Sequence, residues 1–87
     1  MTLPMSEMTR ATPLSLVLAG IPDRSDVERA LLAVVPREGT RPDRLSAPET
    51  DQMRQAGVLG AGGGLTSRGV ALRAMLLRRV EDRDFAL

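Results

Sequence analysis

A chain of 87 residues, 43% of them apolar, has room for one small domain and one core. Its formal net charge of +1 supplies no strong overall field to draw it onto nucleic acid. The absence of Cys and His excludes disulfides and thiolate metal sites, and removes the commonest metal ligand and general base.

Residues 1–12 read as a flexible N-terminal arm in which Leu3, Met5 and Met8 are apolar. The arm is either a free terminus or a segment that packs on a second subunit. Thr12-Pro13 reads as a cap followed by a first-turn proline. Leu14 to Ala19 then suits a short helix closed by Gly20, although the alternation in LSLVL also permits a strand. After the break at Ile21-Pro22-Asp23-Arg24, Ser25 and Glu28 form a capping-box pattern. The helix it opens runs from Asp26 to about Val35, where Pro36 stops it, with Val27, Leu31, Val34 and Val35 on one apolar face.

The following loop, REGTRPDR, carries Arg37, Arg41 and Arg44 with two acids, and reads as a solvated loop or one that touches phosphate. Ser46 and Glu49 repeat the capping box, with Pro48 in the first turn, opening a helix from Ala47 to about Ala56. Ala47, Met53 and Ala56 face inward, while Glu49, Thr50, Gln52, Arg54 and Gln55 face out. Gly57 suits a left-handed helix end.

The stretch from Val58 to Val80, VLGAGGGLTSRGVALRAMLLRRV, organises the rest. Its GAGGG run lacks the Gly-Lys-Ser/Thr ending of a phosphate loop and follows no long strand, so it reads as a tight turn between short strands at 58–60 and 64–66. Thr66 then caps a long helix from Ser67. Leu72, Leu76 and Val80 form one apolar row on it, and Val70, Ala74 and Leu77 the next. Ala71 and Met75 lie among the charged residues of the other face, as ordinary surface or as a dimer contact. At Glu81 to Leu87, acids oppose the helix dipole, so the helix is expected to fray and leave 84–87 as a tail. Phe85, the sole aromatic, folds back on the core or anchors a partner.

The order Gln55-Ala56-Gly57-Val58-Leu59, a glycine turn, then Leu65-Thr66-Ser67-Arg68-Gly69-Val70-Ala71-Leu72 resembles the end of a winged-helix domain of the MarR and PadR type. The resemblance covers about a third of the chain. It implies a mainly α fold: a small winged-helix-like domain at 13–83, with three to four helices and a short β-hairpin before the last. It also implies DNA binding, with 47–56 as the recognition helix. Three features depart from the pattern. The segment between Pro36 and Ser46 is too short for the usual first helix of the motif, Glu49 and Asp51 open the recognition helix, and the turn carries no Arg or Lys.

The acids sit at helix caps or beside arginines, with Asp26 and Glu28 near Arg29, which are surface positions rather than a shared cleft. No Ser has a His to activate it. The expectation is therefore a non-enzyme without cofactor, metal or small-molecule substrate, lying in the cytoplasm of a bacterium or its phage and associating as a homodimer. Two functions remain, ahead of a purely structural role in a larger assembly. One is a regulator that contacts DNA through Arg37, Arg41, Arg44, Arg54 and Arg68. The other is a phage or mobile-element inhibitor or adaptor, anti-CRISPR-like in size, that binds a host protein through Met5, Met8, Ala71, Met75 and Phe85.

Overall fold

The computed structural model describes residues 12–85, and within them the chain forms four helices: α1 at Leu14–Ala19, α2 at Asp26–Ala33, α3 at Ala47–Gln55 and α4 at Ser67–Phe85. Met5 and Met8 lie outside the described residues. The segment 14–19 is helical, but it begins after Pro13, which occupies the cap position with no side-chain cap bond. α2 ends at Ala33, two residues short of expectation. Val34 and Val35 precede Pro36, whose ring disfavours helical backbone before it, and Val34 is extended.

Both halves of the Ser46–Glu49 capping box form: Ser46 N–H donates to Glu49 Oε1 at 2.9 Å, and Glu49 N–H donates to Ser46 Oγ at 3.3 Å. α3 closes in a Schellman motif. Val58 N–H donates to the Met53 carbonyl at 2.9 Å and Gly57 N–H to that of Arg54 at 3.0 Å, with Gly57 at φ +78°. Val58 and Met53 are both buried, which supplies the apolar contact of that motif.

The β-hairpin expected before the last helix is absent. Among the described residues there is no strand, and a single antiparallel bridge joins Leu59 to Leu65. The winged-helix-like architecture is therefore not what this chain builds; the domain is a small set of packed helices. The reason lies in the neighbouring caps. Val58 already closes α3, and Thr66 opens α4 by accepting from Gly69 N–H at 3.1 Å. The proton of the Thr66 hydroxyl is shared between the carbonyls of Gly57 and Val58, tying the two helix ends together. With Gly60 to Gly64 taken by the turn, one residue on each side is left to pair.

The core joins Ile21, Val27, Leu31, Met53, Val58, Leu59, Leu65, Leu72 and Leu76. Full burial of each of its leucines removes enough apolar surface from water to favour folding by about 1.5–3 kcal/mol. The expected faces are corrected in part. Val35 and Leu77 are exposed, at 62% and 41%, and Ala47 and Ala74 also face solvent. The buried row of α4 runs Gly69, Leu72, Leu76 and then continues as Arg79 and Arg83, which are only partly exposed. α4 itself does not fray at Glu81 but stays helical to Phe85, because Arg83 is anchored near its end.

α4 is the spine of the domain, and its arginines close the other helices. Arg79 donates to the Leu18 carbonyl at the end of α1 at 3.1 Å. Arg73 donates to the Val34 and Leu32 carbonyls at the end of α2, at 3.0 and 3.3 Å. Arg68 donates to Ala56 O at the end of α3, at 3.3 Å, and to Thr12 O. Thr12 O, which precedes α1, aside, these are the carbonyls that a helix leaves without internal partners, and the positive charge also suits the helix dipole.

Candidate functional site

The loop 37–44 is held against the glycine turn by backbone bonds. Gly39 N–H donates to Leu65 O and Leu65 N–H donates to Thr40 O, both at 2.8 Å. Leu65 thus has a neighbour on each side, since the Leu59 bridge lies on the other, and its side chain is buried beneath. A Cβ at Gly64 would stand 2.7–2.9 Å from backbone atoms of Gly39, so only glycine lets the two segments approach this closely. We expect Gly64→Ala to lower stability by roughly 1–3 kcal/mol, read as a lower urea midpoint with an unchanged slope; an unshifted midpoint would show that the loop and turn are not packed in this way.

Three of the predicted nucleic-acid residues, Arg37, Arg41 and Arg44, are exposed on this pinned loop. The Arg41 Nε lies 3.7 Å from the position a Cβ on Gly63 would take, so its guanidinium flanks the bare glycine turn. Arg54 stands apart on α3, exposed, and pairs with Asp51 at 3.3 Å. Such a surface pair contributes little to stability. Arg68 is not part of this exposed set, because its guanidinium is engaged with the Ala56 and Thr12 carbonyls. Of the predicted protein-interface residues, Ala71 is exposed and Met75 half-buried on α4. Phe85 is the last residue of α4, and its side chain lies outside what the structure describes.

Met75 lines a groove of about 500 Å³ with Leu18, Arg78, Arg79, Asp82 and Arg83. Behind it lies an ion cluster that sequence reasoning missed. Glu28 is not a surface residue but is 3% exposed. Its carboxylate accepts from Arg79 at 2.8 Å, from Arg83 at 3.0 Å and from the Arg24 backbone N–H at 3.0 Å. Ser25 Oγ still caps Glu28 N–H at 3.2 Å, but the returning half of the box reaches Arg24 instead, whose φ of +61° turns its N–H inward. Asp23 Oδ1 approaches Arg79 Nε and Arg83 from outside, at 3.3 Å each. Burial raises the carboxyl pKa of Glu28, but hydrogen bonds from Arg79, Arg83 and Arg24 outweigh it and hold the group below the usual glutamate value. The same hydrogen bond, chiefly, raises the pKa of Arg83. The signal for this cluster was present in the spacing: positions 72, 76, 79 and 83 form one helical row, so two arginines continue a core stripe and require a buried acid.

This arrangement provides charged and apolar contact surfaces. Its one buried carboxylate is engaged by two guanidiniums and a backbone N–H, which holds it ionised and occupied. Comparison with protein-family models, with curated proteins and with solved structures yields no match to this chain.

Proposed function

We propose that this chain is a non-catalytic binding module that contacts DNA through Arg37, Arg41 and Arg44. One observation carries the reading: these three arginines are exposed on a single loop fixed by two backbone hydrogen bonds to Leu65, whereas Arg68, Arg73, Arg79 and Arg83 are engaged inside the fold. A pinned loop presents guanidiniums to phosphates with little backbone ordering on binding, and the bidentate fork of Arg suits phosphate oxygens. Nothing in this contact reads base edges, so the proposed binding is weakly selective for sequence.

Fluorescence anisotropy with a labelled duplex over a salt series tests this. The logarithm of affinity should fall linearly with the logarithm of salt, and the Arg37→Ala/Arg41→Ala/Arg44→Ala variant should flatten that slope by about 0.9 for each phosphate it no longer neutralises. Arg54→Ala, beside its acid, should change the slope least. Binding and slope unchanged in the triple variant would remove the loop from any DNA interface.

The exposed apolar residues Leu16, Val35 and Leu77 favour a second reading, in which the chain is an adaptor or inhibitor that docks on a host protein. Arg73 holds the Val34 carbonyl, and Leu77 lies one turn beyond Arg73 on α4. A complex of this kind would persist at salt concentrations that release DNA.

A further inference from the structure

The ion cluster fixes the rotation of α4 about its own axis. With Leu72, Leu76, Arg79 and Arg83 turned inward, a second stripe lies roughly a quarter-turn around the helix, at Ala71, Met75, Arg78 and Asp82. Ala71, Arg78 and Asp82 are exposed and Met75 is half-buried at the groove. Among the described residues neither Arg78 nor Asp82 has an ion-pair partner. The spacing of this stripe is four, three and four, and a further step of three reaches residue 85, the end of the helix. That spacing lets the stripe lie along a second helix, with Ala71 and Met75 as its apolar positions and Arg78 and Asp82 as its charged ones.

The stripe is also self-complementary when reversed. In an antiparallel pair each a position faces a d position of the other helix. A two-fold axis at residue 80 therefore sets Arg78 against Asp82 of the second copy, and Asp82 against Arg78, so that two pairs satisfy all four charges. The same axis sets Met75 opposite position 85, where the sequence has its only aromatic residue. We infer that the occupant of this face is a second copy of the same chain, joined through antiparallel α4 helices with reciprocal Arg78–Asp82 pairs across the axis. This goes beyond DNA contact and does not depend on it, since the α4 stripe shares no residue with the arginine loop.

Sedimentation equilibrium of the full chain, without DNA, tests the inference. The wild-type chain should equilibrate between 9.4 kDa and twice that mass. Arg78→Asp and Asp82→Arg each set like charges opposite one another and should weaken self-association roughly tenfold or more. Because the contact is reciprocal, the double variant Arg78→Asp/Asp82→Arg should restore it. An equimolar mixture of the two single variants should likewise form a mixed dimer. Circular dichroism should show unchanged helix content in all of them, since both side chains are exposed. A wild-type chain that stays monomeric would overturn the inference and leave this face to another protein. A dimer indifferent to the single reversals would overturn it as well, as would single variants that fail to associate with each other.

Discussion

Glu28→Ala should destabilise the domain by about 3–5 kcal/mol, because it leaves two arginines facing a buried site with only the exposed Asp23 beside them. In a domain of this size that corresponds to a melting temperature lower by some tens of degrees, on the order of 4–8 °C for each kcal/mol. Thermal unfolding followed by circular dichroism measures it, and a loss below about 1 kcal/mol would mean the cluster contributes no more than an exposed ion pair does. The acid dependence has a definite direction. The folded Glu28 pKa is lowered, so its stabilisation is fully present above the unfolded value of about 4.3 and is lost as pH falls through the folded value. The raised pKa of Arg83 works in the opposite sense and is lost only in strong base. Glu28→Gln should therefore lower stability at neutral pH and flatten the acid dependence that sets in as pH falls below the unfolded glutamate value. An acid limb as steep as that of the wild type would assign the effect to another carboxylate.

The second large effect should come from Gly69→Ala. Alanine in a helix interior normally gains up to about 1 kcal/mol over glycine. At this position, however, a Cβ would stand 2.2 Å from the Val58 carbonyl oxygen and 2.9 Å from a Leu65 methyl. The carbonyl cannot retreat cheaply, since it accepts the Thr66 N–H at 3.0 Å and shares the Thr66 hydroxyl. We expect a net loss of roughly 2 kcal/mol or more, measured by chemical denaturation. A variant as stable as the wild type would mean that α4 does not pack directly on the turn.

What could be read from the sequence was what local chemistry decides. Ser46 with Glu49, Gly57 and Thr66 mark helix ends through contacts within a few residues, and all three stand where their spacing placed them. The turn between Leu59 and Leu65 was also legible, but its pairing was not, because flanking caps claim the residues that would have lengthened a hairpin. Glu28 escaped notice for a similar reason. A capping-box glutamate ordinarily points to solvent, and only the approach of Arg79 and Arg83, more than fifty positions away, draws it inward. Arg68 illustrates the limit for the candidate site. Sequence shows that an arginine is present but not whether a carbonyl of the same chain already holds it.

The capping of three helices by one has a consequence for how the molecule opens. α1, α2 and α3, of six, eight and nine residues, are each too short to persist alone in water. Each loses an arginine that bonds its terminal carbonyls when α4 lifts away. Amide protons in all four segments should then exchange with deuterium through one shared opening, with similar protection along the chain rather than a ladder of separately fraying parts.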